Sequence, residues 1–381
     1  MNRNEREKGK KVKFHSYYDF GLLFLTLFLA GFGLLMIYST SGYNALMNAG
    51  DEFAYVKKQL ISVLLGVAAM FIISRINYRV FTRPIKLIRV TPITLLFILC
   101  IFLQIIVLFV GREVNGAKRW IDLGPLGTFQ PSELSKVGMI MFTAYIVQLA
   151  PQKLSKFIGF LRICLFTAPL IVLVVIENLS TAIVLSAIMG IICFVASRKK
   201  LYYFIVGMMG LGAGAVFVAL EGYRLERFDV WHNIETHEKG YQILQGLYAI
   251  ASGGLFGVGL GQSMQKLGFI PESHNDMIFS VICEELGLVG AIALIIIFVM
   301  LLWRLLFNAI NAPDLFGGLI CMGILTHIAV QVLINIAVVT NTIPSTGIPL
   351  PFISYGGTSV AIILAEMGLA LSVSNQIKYE R

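Results

Sequence analysis

Asp276 stands in the stretch PESHNDMIF, residues 271–279, where a polar segment gives way to a long apolar one, with Glu272 and His274 beside it. A carboxylate at such a boundary is well placed to act as a general base. An aspartate ahead of an apolar run is equally what a helix start prefers, so position alone leaves base and N-cap as open readings. Glu133 and Lys136 in QPSELSK lie three residues apart, on one helical face, where they can pair. A buried pair of this kind either stabilises packing or awaits a charged ligand. Lys118 and Arg119, followed by Trp120, suit a phosphate at a membrane interface, because ammonium and guanidinium offer charge-assisted hydrogen bonds and indole sits at headgroup level. Anchoring to lipid headgroups is the competing reading. Glu284, Glu285 and Glu366 fall inside apolar segments, where an ionisable side chain is costly unless paired or wet; for Glu366 a helix–helix hydrogen bond is the simpler account.

Other chemistries find no footing. There is no Walker A, H-E-x-x-H or G-x-S-x-G motif and no metal-ligand spacing, so neither ATP-driven transport nor metallohydrolysis is supported. No metal site and no cofactor are expected, with dependence on a divalent cation left open. The five cysteines, Cys100, Cys164, Cys193, Cys283 and Cys321, lie in apolar segments without C-x-x-C spacing, which argues against disulfides, zinc and redox chemistry.

The elements that must position these residues are membrane helices. Of the 381 residues, 57% are hydrophobic and only 13% charged, and mean hydropathy is +0.82, whereas an average soluble domain has about 25% charged residues. A span needs about 20 mainly apolar residues, and only a helix satisfies an open chain's backbone in hydrocarbon. Spans are expected near 19–41, 59–75, 90–111, 134–150, 159–176, 179–197, 201–220, 276–307, 314–341 and 355–375. The fold class is therefore an all-α integral membrane protein of about ten transmembrane helices. The first apolar stretch is too long for a secretory h-region, so it reads as a retained span.

Short loops rich in Lys and Arg mark the cytoplasmic side. The tail with Arg3, Arg6, Lys8, Lys10, Lys11 and Lys13, the stretch from Arg75 to Arg89, the Lys153/Lys156/Arg162 turn, Arg198-Lys199-Lys200, and the end at Lys378 and Arg381 all fall on one side of a ten-span arrangement. Both termini are then cytoplasmic, with 1–18 a basic tail, 19–375 the membrane domain and 376–381 a second tail. The net charge of +9 follows from this topology and from attraction to anionic lipid, and nucleic-acid binding is an unneeded reading.

Two outer loops break the charge rule. The first is GREVNGAKRWIDLGPLGTFQPSE at 111–133; the second, 221–275 between the seventh and eighth spans, is too long to be a mere connection. Within it, 241–261 has neither charge nor proline and is expected to lie at the outer leaflet surface or re-enter, its glycines allowing close backbone approach. NTIPSTGIPLPFISYGGTS at 341–359 carries three prolines and three glycines and cannot be a regular helix. Broken backbone at membrane depth is tolerated where it lines a wet cavity or is buried in protein, so it is expected to form one wall of such a cavity.

NGAKRWIDLG…FQPSELSK, ASGGLFGVGLGQSMQKLGFIPESHNDMIFSVICEELG and IPSTGIPLPFISYGGTS resemble, in order, the three signature regions of the SEDS family (shape, elongation, division and sporulation; the RodA/FtsW/SpoVE type). The resemblance covers essentially the whole chain. It implies a peptidoglycan glycosyltransferase that polymerises lipid II on the outer face of the bacterial cytoplasmic membrane with a class B penicillin-binding protein and other divisome proteins. By resemblance, Asp276 is the family's essential aspartate, Glu133 and Lys136 its fourth-span pair and Trp120 its loop tryptophan. Lys118, Arg119, Glu272, His274, Ser354 and Tyr355 are the further residues expected at substrate. Where many relatives read P-D-L-G-T, this chain has Glu177-Asn178-Leu179-Ser180-Thr181, which puts in doubt any ion pair the aspartate would make and leaves Glu177 as a substitute. The opening YYDFGLLFLTLFLAGFGLLMIYSTSGYNA and the closing PFISYGGTS resemble the FtsW/SpoVE branch more than RodA, pointing to septal or sporulation wall synthesis, with an elongation-type polymerase the alternative. A lipid flippase and a non-catalytic activator of a penicillin-binding protein are the rival functions.

Overall fold

The computed structural model describes residues 14–114, 117–122, 124, 128–205, 207 and 222–380. Its helices are α1 (Phe20–Ala49), α2 (Ala54–Arg75), α3 (Pro92–Val110), α4 (Pro131–Leu149), α5 (Phe157–Glu177), α6 (Leu179–Ala196), α7 (Gly222–His232), α8 (Tyr241–Ser252), α9 (Ile278–Ile310), α10 (Leu315–Val339) and α11 (Gly357–Ser374). Strands β1 (Phe14–Ser16) and β5 (Lys378–Glu380) pair with each other, and β2 (Arg112–Val114), β3 (Ala117–Asp122) and β4 (Thr128–Phe129) form a small antiparallel sheet. The protein is all-helical across the membrane. The span expected at 201–220 and the basic tail at 1–13 lie largely or wholly outside the described residues.

Local chemistry sets the helix ends. Asp19 accepts a hydrogen bond from the Leu22 amide at the start of α1, Thr91 precedes Pro92 at the first position of α3, and Asp314 accepts from the Gly317 amide in α10. The first span runs past its expected end to Ala49, where Gly50 closes it at φ 66°. The second begins at Ala54, five residues ahead of expectation. The interruption expected between the fifth and sixth spans is present: α5 ends at Glu177, and the Asn178 side chain accepts from the Thr181 amide to start α6.

Among the described residues, eight helices are long and apolar enough to cross a membrane. α4 packs among them but is more polar, and most of its length is buried, including Ser132, Glu133, Ser135 and Lys136. The reason is position: a helix surrounded by α3, α6 and α10 meets protein rather than lipid, so its polar groups can be satisfied internally. The outer helices show the reverse, with Ile98, Leu99, Phe102 and Phe109 of α3 exposed.

The two ends of the described chain, β1 and β5, lie on one face. β1 pairs with β5, the Asp19 amide donates to Ser374 Oγ at 3.2 Å, and Arg304 Nε donates to the Asp19 carboxylate at 2.9 Å. Asp276 precedes the first residue of α9, whereas Arg304 lies toward its far end, and the unbroken stretch 288–304 alone rises about 24 Å at 1.5 Å per residue. Asp276 therefore belongs to the opposite face.

α9 is broken one-quarter of the way along, where Gly287 has φ 66° and ψ −170°. The stretch after α8 enters this break. Val258 and Gly259 amides donate to the Glu284 and Glu285 carbonyls at 2.9 and 3.0 Å, while Leu288 and Val289 amides donate to Gly254 and Leu255 carbonyls at 2.9 and 3.1 Å. The groups freed by the broken helix are thus paired again. A Cβ on Gly287 would meet the Gly257 nitrogen at 2.3 Å, and one on Gly257 would meet the Glu285 oxygen at 2.2 Å, so both positions demand glycine. Glu284 and Glu285 hold the same junction: the Met264 amide donates to Glu284 at 3.0 Å, Ser263 also donates to it, and buried Lys266 pairs with Glu285 at 2.7 Å alongside Ser39 at 2.6 Å. Replacing Gly287 with alanine is expected to cost about 1–3 kcal/mol in backbone strain alone and to detach 253–267. Limited proteolysis in detergent should show faster cleavage in that stretch; unchanged protection would refute the role assigned to the break.

Candidate functional site

The segment 271–277 leads into α9, whose first residue is Ile278, so Asp276 lies just outside the span. The residue at the cap position of α9 is Met277, with no side-chain cap hydrogen bond. The cap reading for Asp276 is thereby corrected: its carboxylate points elsewhere. Oδ1 accepts from Gln242 Nε2 of α8 at 3.4 Å, and its backbone carbonyl accepts from Asn335 Nδ2 of α10 at 2.7 Å. The same Asn335 amide donates to the Ile348 carbonyl at 2.9 Å, fastening the broken 341–356 segment against the aspartate.

That segment forms the facing wall. Gly347, at φ 69°, lies so near that a Cβ there would sit 4.0 Å from Asp276 Oδ2. Its course is held from outside by Arg227 Nη1 on the Ser345 carbonyl at 2.9 Å, Trp231 Nε1 on the Asn341 carbonyl at 2.9 Å, and Ser180 Oγ on the Thr346 carbonyl at 3.2 Å. Backbone without helical pairing is thus tied down by side chains of α6, α7 and α10. Burial pushes the Asp276 carboxyl up to about 6, with Glu272 adding to the rise and the Asp276 amide, Gln242 and Arg227 opposing it. A carboxyl so placed takes and releases a proton near neutrality.

The other residues singled out from the sequence divide by place. Glu272 is exposed at φ 51° and accepts from Asn275 Nδ2 at 2.8 Å. His274 is buried between Tyr55 and Tyr355, with ring centroids at 4.7 and 5.4 Å; burial holds it below the ordinary histidine value, so it is neutral. Ser354 is buried with both hydrogen-bonding roles filled, accepting from the Leu350 amide at 2.8 Å and donating to the Asn275 carbonyl at 2.7 Å. It positions the segment that carries Asp276. Glu133 and Lys136 pair at 2.8 Å, both buried. Glu366 pairs with His327 of α10 at 2.7 Å, a contact between two helices in the protein interior.

The hairpin of β2–β4 covers the same face. Thr358 Oγ1, in the first turn of α11, donates to the Thr128 carbonyl at 2.7 Å. On β3, Lys118 is exposed and Trp120 half-buried, while Arg119 Nε donates to the Glu177 carbonyl at 2.7 Å. Glu177 takes a hydrogen bond from Gln104 Nε2 at 2.6 Å. Asn178 caps α6, a task an aspartate performs equally well, so the departure at this position leaves the helix start unchanged. Arg227, Gln242 and Asn335 are site neighbours that reading the residues did not single out. Asn335 carries a signal, a lone amide in an apolar span; for Arg227 and Gln242 only the fold supplies the partner.

Comparison with known proteins finds relatives along essentially the whole chain. Residues 20–379 match the FtsW/RodA/SpoVE family model, described as cell cycle protein. Stage V sporulation protein E of Bacillus subtilis is 38% identical over 368 residues, covering 95% of this chain and 98% of the relative. Probable peptidoglycan glycosyltransferase FtsW of Trichlorobacter lovleyi is 36% identical, covering 95% and 94%. Among solved structures, a chain from work on structural coordination of polymerization and crosslinking by a peptidoglycan synthase complex superposes with a TM-score of 0.77 at 28% identity, covering 94% of this chain and 97% of that one. The rod shape determining protein RodA of Thermus thermophilus superposes at 0.68 with 26% identity, covering 96% and 98%.

Proposed function

Because the chain belongs to the FtsW/RodA/SpoVE family of cell cycle proteins, we propose that it is a peptidoglycan glycosyltransferase that polymerises lipid II at the outer face of the bacterial cytoplasmic membrane. The observation that carries this reading is the Asp276 carboxyl, pushed up to about 6 and walled by Gln242, Arg227 and the broken 341–356 segment on the face opposite both termini. Outward placement follows from the positive-inside rule: short basic stretches, including Arg79 paired with Asp314 at 2.6 Å, lie on the face of the termini.

The chemistry required is modest, because a lipid pyrophosphate is already a good leaving group. Asp276 takes the proton from the acceptor 4-hydroxyl as its oxygen attacks the anomeric carbon of the donor sugar. The bond from that carbon to the pyrophosphate oxygen breaks, the electron pair leaves with the pyrophosphate, and the sugar is inverted. The proton remains on Asp276 until solvent removes it. Lys118, Arg119 or Lys136 supplies the positive charge that steadies the departing pyrophosphate, and Trp120 holds the hairpin at headgroup level. The likeness to a chain of a peptidoglycan synthase complex supports a class B penicillin-binding protein as partner. Identities of 38% with a SpoVE and 36% with an FtsW relative support a septal or sporulation role.

Purified protein with its partner, given lipid II in detergent, is expected to make glycan strands separable by gel. Detergent abolishes the two sides of a membrane, so a flippase would show nothing there and would act only across sealed vesicles. Absence of polymer in detergent with movement of lipid II in vesicles would overturn the polymerase reading.

A further inference from the structure

A cavity of about 520 Å³ lies between the end of α6, the end of α9 and the start of α10, lined among others by Val195, Leu306, Ile310, Asp314, Leu319 and Met322. Its volume lies in the range of small-molecule sites, about 300–1,000 Å³. It is on the face of the termini, across the membrane from Asp276, because its Asp314 pairs there with Arg79. Apart from Asp314, every lining residue is apolar, and the Asp314 carboxylate is already engaged. Its Oδ2 accepts from Tyr78 Oη at 2.9 Å and Arg79 Nε at 2.6 Å, and its Oδ1 accepts from the Gly317 amide at 2.8 Å. A polar guest would find nothing to pair with, and an apolar cavity of this kind does not hold water. An alkyl chain fits. Residues 315–322 of α10 carry one wall about 10 Å into the membrane, and the rim is open to lipid, with Ile310 74% exposed and Val195 41%.

One turn beyond Val195, where α6 has ended at Ala196, come Arg198, Lys199 and Lys200. Ser197 Oγ and Tyr203 Oη both donate to the Leu154 carbonyl at 3.3 Å, which brings Lys153 and Lys156 to the same corner. All five cations are exposed, and among the described residues no carboxylate pairs with any of them. Arg79 and Arg304, on the same face, each have one, in Asp314 and Asp19. The only acidic residue between 150 and 205 is Glu177, at the opposite end of α5. Lys200 Nζ stands 4.4 Å over the Phe194 ring, which keeps its ammonium against α6.

Each half alone is ordinary, since basic loops set orientation and lipid fills apolar crevices at helix edges. Their juxtaposition is selective. A chain seated against α10 places its headgroup at the level of residues 197–200, where a corner with five cations and no acid attracts negative charge. We propose that this crevice is a phospholipid site in the leaflet on the face of the termini, seating one acyl chain of an anionic diacyl phospholipid whose phosphate is held by Arg198, Lys199 and Lys200. A zwitterionic lipid is disfavoured, because its own ammonium opposes the attraction, and free phosphate leaves the apolar wall empty. The inference is independent of the polymerase reading.

The test uses the full chain, stripped of lipid in detergent and given dioleoylphosphatidylglycerol and dioleoylphosphatidylcholine in equal amounts, with bound lipid counted by native mass spectrometry. One phosphatidylglycerol per chain is expected to remain after detergent is released. Its preference over phosphatidylcholine is expected to be about tenfold or more, since each cation near an anionic headgroup contributes about fivefold. The triple variant Arg198→Gln, Lys199→Gln, Lys200→Gln is expected to lose that preference. Because removing three cations can disturb membrane insertion, Ala312→Leu, which fills the crevice from the α9–α10 turn, serves as a second variant; it is expected to retain several-fold less of either lipid. Melting temperatures measured without lipid check that both variants are folded, and millimolar inorganic phosphate is expected not to displace the lipid. Equal retention of the two lipids by the natural protein, a preference unchanged in the triple variant, retention unchanged in Ala312→Leu, or displacement by phosphate would each overturn the site.

Discussion

Replacing Asp276 with asparagine is expected to slow lipid II polymerisation by about 10²- to 10⁴-fold, the range a positioned general base supplies. The substitution keeps the size and the hydrogen-bonding partners of the side chain and removes only its ability to take a proton. Gln242 can still reach the side chain, and Asn335 still holds the backbone carbonyl, so the site keeps its shape. A purified Asp276→Asn protein that polymerised at the natural rate would remove the aspartate from the mechanism.

The same carboxyl sets a pH dependence. With Asp276 pushed up to about 6 by burial, the ionised base is scarce below that pH. The rate is therefore expected to rise tenfold per pH unit up to about 6 and then level off. Stability follows the opposite course. A carboxyl whose value in the fold exceeds its unfolded value of 3.8 is favoured in its protonated form. Its contribution to stability is present at low pH and lost as pH rises through about 6. The asparagine variant, which cannot ionise, should accordingly melt at or above the temperature of the natural protein at pH 7.5. A rate flat between pH 5 and 7 would contradict the assignment.

Lys136→Met is expected to be the most destabilising single change at the site. Lys136 is fully buried and paired with Glu133 at 2.8 Å. Removing the ammonium strands a carboxylate inside α4, at a cost of about 3–5 kcal/mol, visible as a large fall in melting temperature and yield. The double variant Glu133→Gln, Lys136→Met leaves no charge behind and should recover most of that stability. Its activity separates two roles. If Lys136 only packs, the double variant polymerises normally. The proposed contact with pyrophosphate requires that it remain slow, by about a hundredfold or more, on the scale of a lost charge-assisted contact in the transition state.

Much of the architecture is local in origin and was readable as such. Apolar runs long enough to cross hydrocarbon, the basic short loops, the proline- and glycine-rich 341–359 segment and the polar start of the eighth span follow from composition over windows of about 20 residues. The break at Asn178 was legible too, because an N-cap acts within three residues. The three signature stretches placed the chain in its family and drew attention to Asp276.

What composition could not settle were roles that depend on distant partners. Asp276 as base or cap was undecided until the fold put Met277 at the cap and Asn335, 59 residues on, against the aspartate's carbonyl. Glu284 and Glu285 read as costly charges in a span; the structure pairs Glu285 with Ser39, 246 residues away, and with Lys266 at a break that Gly287 makes possible. A cavity beside His274 draws Tyr55 and Asn44 from the first two helices, which no spacing connects to residue 274. Hydropathy determines which segments leave water, and it acts on each segment alone. Hydrogen bonds and ring contacts inside the membrane are made between segments, so only the packed helices decided what faces Asp276 and what surrounds His274.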